Sequence, residues 1–188
     1  MKSKFITLFF AINWVVCLNL SGANRSPVEI KFNSLRVKAQ EQVNTSKEIC
    51  YLDSMLQLAQ MNDSVYWECL AMSFMARNYY NRMIPDSFMY WAGRVDSFAL
   101  HHKHYRLFFD TFSLVCSWDL YEKNYDTALE NSNRLYLLAK DLNNIDGLIA
   151  SHETIGLIYM ETFRYMDAIK SFKEGLELQC QQKNPRYS

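Results

Sequence analysis

The chain has 188 residues, 49% of them hydrophobic, with twenty basic and twenty acidic side chains that leave no formal net charge. That balance lacks the electrostatic footprint of a nucleic-acid binder, and no lysine- or arginine-rich run marks a membrane-surface patch. Three prolines and five glycines are too few for a turn-rich all-β protein or a disordered chain, and the length suits a single domain.

Residues 1–23 read as an export signal. Lys2 and Lys4 start a charge-free apolar run from Phe5 to Leu20, and Ser21-Gly22-Ala23 sets small residues before a cut at Asn24. A retained membrane span is the weaker alternative, because Asn13 interrupts a short run. Bulky Val16 opposes a lipoprotein signal at Cys17. The mature chain is expected to be exported and to act in the periplasm or cell envelope.

Residues 24–44 form a degenerate amino-terminal helical segment, with Val28, Phe32, Leu35, Ala39 and Val43 along one face. Thr45-Ser46 starts a second helix, with Glu48 in its first turn and Ile49, Leu52, Leu56 and Ala59 inward. Met61-Asn62-Asp63 closes it. Asp63 or Ser64 caps a third helix, which carries Val65, Cys69, Met72, Met75, Ala76 and Tyr79. Pro85 opens a fourth through Phe88, Trp91, Ala92, Val95 and Phe98. Further helices are predicted over 105–121, 125–142, 145–162 and 165–181, with Pro185 as a stop. No stretch alternates well enough for a strand, and linkers of two to five residues make neighbouring helices antiparallel.

The helices repeat. Leu58-Ala59, Phe98-Ala99 and Leu138-Ala139 lie forty residues apart, and Leu178 continues the series. A second column runs Met75, Val115, Ile155, followed by the small residues Ala76, Cys116, Gly156. Asp86 pairs with Asp126, Tyr125 with Tyr165, and Ala128 with Ala168. A fixed period of this kind marks a stack of like units. The expected fold is an all-α solenoid of antiparallel helix pairs over residues 45–182, with 183–188 as a tail.

Ile155-Gly156-Leu157-Ile158-Tyr159, then Arg164-Tyr165-Met166-Asp167-Ala168-Ile169, Phe172 and Gly175, closely resemble the tetratricopeptide repeat. The preceding unit keeps Val115, Cys116, Tyr125, Ala128 and Leu129 but has Asp119 where the family sets an aromatic. The unit before keeps Met75, Ala76 and Tyr79 and departs at Pro85 and Phe88. Phe163 replaces the family's turn glycine, so that turn is expected to be less tight. The forty-residue period resembles the long repeats in exported sensory regions of Bacteroidetes histidine kinases and helix-turn-helix regulators.

The resemblance implies a protein- or peptide-interaction module whose first helices line a concave side. Carried across residue by residue, the groove positions are Ser73, Arg77, Tyr80 and Asn81, then Asp110, Ser113, Ser117 and Tyr121, then Glu153, Leu157, Met160 and Glu161. The alternative reading makes these plain solvated helix faces. The basic and asparagine clamp for chaperone tail carboxylates is absent. The preferred context is the sensory part of a bacterial signalling protein; the alternative is a free-standing periplasmic scaffold.

No catalytic fingerprint, cofactor motif or metal-ligand spacing occurs, and an enzyme is not expected. His101-His102-Lys103-His104 is expected to form a turn rather than hold a metal. His152 and Glu153 are neighbours on a helix and so point apart. Tyr79-Tyr80 and Tyr90-Trp91 are expected in the core. An even count of Cys50, Cys69, Cys116 and Cys180 in an exported chain invites disulfides, but Cys116 in the small-residue column and Cys69 in an apolar helix make buried free thiols the expectation. Ile169, Phe172, Leu176 and Leu178 exceed what a partner helix covers, so the chain is expected to continue or to self-associate through this end.

Overall fold

The structure, a computed structural model, describes residues 26–183. The signal segment, its cut, Cys17 and the tail beyond Lys183 lie outside the described residues. Within them the chain forms eight α-helices and no strand: α1 Pro27–Glu41, α2 Ser46–Met61, α3 Val65–Asn81, α4 Pro85–His101, α5 Tyr105–Tyr121, α6 Tyr125–Asp141, α7 Ile145–Glu161 and α8 Tyr165–Lys183.

Local chemistry starts the first helices as their sequences suggest. Ser26 accepts the Glu29 amide ahead of Pro27, and Thr45 accepts that of Glu48 at 3.3 Å. The Glu48 carboxylate reaches back to the Asn44 amide at 2.7 Å, so each satisfies a donor that the helix leaves free. Ser64 holds the N-cap position of α3, but its hydroxyl makes no capping bond; Asp63 lies outside the helix with φ 49°.

The linkers after α2 to α7 share one construction. After α2, Ser64 N–H donates to the Ala59 carbonyl and Asp63 N–H to that of Gln60; after α7, Arg164 donates to Tyr159 and Phe163 to Met160. This pair of bonds is the Schellman motif, with one residue in the left-handed region. Those residues are Asp63, Met83, Lys103, Lys123, Asn143 and Phe163, none a glycine; Asn44 after α1 shares the conformation, but its amide donates to the Glu48 carboxylate instead. From Asp63 onward they recur every twenty residues. The expected looseness at Phe163 is therefore corrected: with φ 62° its turn is as tight as the others, because backbone hydrogen bonds, not glycine, set the geometry.

Neighbouring helices pack in chain order, giving a solenoid of the pairs α1/α2, α3/α4, α5/α6 and α7/α8. The described part of the degenerate segment, residues 26–44, is part of this stack: Phe32 is buried and stacks on Trp67 at 4.9 Å. Val43, expected inward, is exposed in the linker. The small columns mark the close approaches. Ala59, Ala99 and Ala139 have no exposed surface, nor do Ala76 and Cys116. At Gly156 an added Cβ would lie 2.6 Å from the Phe172 ring, and at Gly147 one would lie 2.7 Å from Phe109. Side-chain volume at these positions would hold the helices apart.

Two of the four thiols depart from expectation. Cys69 and Cys116 are buried, whereas Cys50 and Cys180 are exposed on the outer sides of α2 and α8. Tyr79 and Trp91 pack against the core, but Tyr90 is 59% exposed. The histidine run forms the predicted turn, with His101 ending α4, His102 and Lys103 in the linker and His104 preceding α5.

Candidate interaction face on the odd-numbered helices

α3 touches α5 and α5 touches α7, while the even-numbered helices are held further apart. Closer approach on one side curves a stack towards that side, so the odd-numbered helices line its inner face. Every predicted groove residue falls on α3, α5 or α7.

The structure joins the first two groups. Arg77 on α3 acts electrostatically on Asp110 of α5. Partial burial lowers the Arg77 guanidinium from its ordinary value, and Asp110 opposes that. Loss of hydration raises the Asp110 carboxyl; Arg77 and Arg106 pull it down, and Asp146 at the start of α7 pushes it up. Asp110 is nevertheless solvent-accessible.

One turn further along α3, Tyr80 lies beside the Ser117 hydroxyl of α5, and burial raises its phenol. Its ring meets Trp118 at 6.0 Å and Phe88 at 5.4 Å, and Trp118 meets Tyr121 at 5.9 Å. Tyr121 is 55% exposed, so this aromatic ladder runs from the core to solvent. Asn81 is also exposed.

Ser73, Ser113 and Ser117 have a different place. All three are buried, and each hydroxyl donates to a carbonyl of its own helix: Leu70, Asp110 and Ser113 respectively. They form the floor that lets α3 and α5 approach. On α7, Glu153 is exposed yet raised by lost hydration, and Met160 and Glu161 are exposed. Leu157 turns partly into the core beside Leu120 and Ile158. The residues that act on one another across helices, Arg77 with Asp110 and Tyr80 with Ser117, lie on α3 and α5.

Four polar features were missed in the sequence. Asp119, where the family sets an aromatic, is buried and accepts from the Asn131 amide at 2.8 Å. Arg106 and Asp146 occupy the same repeat position on α5 and α7 and extend the charged wall. His152 does point away from Glu153, but it pairs instead with Glu174 of α8 at 3.4 Å. With Tyr136 and Lys140 it lines a shallow depression of about 330 Å³ over α7, on the even-numbered side. Burial lowers the His152 imidazole, and Glu174 opposes that shift.

Among the described residues no group of three or more metal-ligating side chains gathers, and no helix is long and apolar enough to cross a membrane. Comparison of this chain with models of protein families, with curated proteins and with solved structures gives no match.

Proposed function

We propose that this chain is a non-catalytic interaction module that holds a protein or peptide segment against the odd-numbered face. The observation that supports this reading most directly is the coupled pair of layers on α3 and α5. Arg77 and Asp110 offer opposite charges on adjacent helices, and further along α5 Tyr121, backed by the buried Trp118, offers exposed ring surface. Arginine and tyrosine in such settings dominate binding energy at protein interfaces. Fixed helices present these groups at little ordering cost, which favours capture of an extended segment.

The tetratricopeptide resemblance extends the proposal to context: the sensory part of a bacterial signalling protein, working outside the cytoplasm. The test is affinity capture from cell-envelope extracts with the wild-type chain, with Arg77→Ala/Tyr121→Ala, and with Lys140→Ala/Glu174→Ala on the other side as control. Partners retained by wild type and control are expected to bind the groove variant at least roughly tenfold more weakly. Equal recovery by all three proteins rejects the odd-numbered face.

A further inference from the structure

The outer side of α8 carries an apolar seam that no described helix covers. Met166 is 78% exposed, Ile169 60% and Leu176 58%, and Cys180 is exposed in the same row. With Lys173 between them, these residues follow each other at intervals of three, four, three and four. That is the spacing of the a and d positions of a helix–helix seam.

The preceding repeat shows what such positions do. Leu129 and Tyr136 stand forty residues before Ile169 and Leu176. Leu129 packs into the cluster that contains Ile158 of α7, and the Tyr136 ring lies 5.4 Å from that of His152. On the odd-numbered side, Leu120 is 8% exposed where its counterpart Met160 is 43% exposed. The edge of the α7/α8 layer therefore keeps the apolar side chains that interior layers bury against another helix. It is shaped for a helix of its own kind.

We propose that a second copy of this chain covers it, with the two α8 helices pairing antiparallel about a two-fold axis. The charges beside the seam favour this occupant. Lys170 and Glu177 flank the apolar row on the side nearer α6, where Glu177 also borders the depression lined by Tyr136 and Lys140; they are seven residues apart and of opposite sign. In an antiparallel pair such equivalent flanking positions face each other, so Lys170 of one copy meets Glu177 of the other, twice. A parallel pair would set each of these residues beside the wrong register. Lys173 lies at the centre with its amine 3.8 Å from Glu177, so its charge has a partner at the edge of the seam. Such a contact uses the same patch on both copies and closes after two, whereas head-to-tail stacking would leave an open filament. The zero formal charge of the chain sets no long-range repulsion against it.

Sedimentation equilibrium of the full chain tests this, with a dimer in the micromolar range expected for a contact of one helix pair. Ile169→Glu/Leu176→Glu is expected to give a monomer with unchanged helical circular dichroism. Glu177→Lys alone is expected to weaken the dimer about tenfold by setting like charges opposite each other, and Lys170→Glu/Glu177→Lys to restore it; these variants decide the matter if the seam variant fails to fold. Antiparallel pairing also holds the two Cys180 thiols roughly 20 Å apart along the helices, so oxidation is expected not to link them. A wild-type monomer overturns the proposal, including one in which hydrogen exchange shows the seam protected within a single chain. So does a dimer that survives the seam variant, failure of the double exchange to restore pairing, or rapid Cys180 cross-linking.

Discussion

The closest helix contact gives the sharpest test of the packing argument. An added methyl at Gly156 would lie 2.6, 2.8 and 2.9 Å from three atoms of the Phe172 ring. The ring must withdraw by about 0.8 Å to regain ordinary contact, in a layer where α7 and α8 press together along their length. Gly156→Ala gains about 1 kcal/mol in helix propensity, while overpacking costs about 1–3 kcal/mol, so a net loss of about 1 kcal/mol is expected. Phe172→Leu alone costs a further ~1 kcal/mol through lost contact. In the double variant the smaller side chain accepts the methyl, so the overpacking cost vanishes and the propensity gain remains. The two changes should then couple favourably by about 1–2 kcal/mol in a double-mutant cycle measured by urea unfolding. Additivity within about 0.5 kcal/mol, or a stabilising Gly156→Ala in the wild-type background, would refute the view that this column is small because the helices touch there.

The buried thiols set an alkaline limit. Burial pushes Cys69 up to about 12, with Glu68 adding to the rise, and burial likewise pushes Cys116 up to about 12. The unfolded chain releases these protons near their ordinary value of 9.0, so their contribution is complete below that pH and is lost as pH climbs towards 12. Each thiol removes about 1.4 kcal/mol per pH unit across that window. Cys69→Ala/Cys116→Ala should flatten the fall in unfolding free energy between pH 9 and 11, and an unchanged slope would contradict the assignment. The left-handed turn residues provide a second lever: Met83→Gly and Phe163→Gly relieve roughly 1 kcal/mol of backbone strain each, partly offset by glycine's unfolded-state entropy. Phe163 is 78% exposed and gives up little burial. Each change should raise the melting temperature by about 1–4 °C, and a fall would show that the side chain matters more than φ.

Helix positions were legible because their signal is local. Three- and four-residue spacing of apolar side chains, Pro27 and Pro85 at first-turn positions, and the Leu-Ala column all act within one helix or one repeat. The turns were less legible, since a Schellman motif needs only backbone donors and acceptors. Asn44, Asp63, Met83, Lys103, Lys123, Asn143 and Phe163 share a conformation and no side-chain chemistry. The face itself was predicted from the repeat register, which placed Arg77, Tyr80, Asp110 and Tyr121 on odd-numbered helices. The pairings on and around it were not, because they cross between helices. Asp110 lies 33 residues from Arg77 and Glu174 lies 22 from His152, neither at the repeat distance. Cys50 and Cys180 were misjudged because a thiol's helix is easier to read than the side of the helix it occupies.

Packing and recognition place opposite demands on equivalent positions of the stack, and the chain separates them. Where helices touch, the occupants forty residues apart are nearly interchangeable: alanine at 59, 99 and 139, and alanine, cysteine and glycine at 76, 116 and 156. On the odd-numbered face the equivalents differ in kind. Positions 81, 121 and 161, all exposed, hold asparagine, tyrosine and glutamate, and position 77 holds an arginine where 117 and 157 hold a buried serine and a half-buried leucine. A uniform packing column gives each layer the same backbone, so a ligand lying across the face meets evenly spaced steps. The dissimilar face residues make each step chemically distinct, so a segment that slides by one layer would set its groups against the wrong partners. If the face holds a segment as proposed, its direction and register would be set by differences between repeats whose frame is the same, and the α3 to α5 step, with Arg77 and Asp110 on one side and exposed Tyr121 further along, would discriminate most.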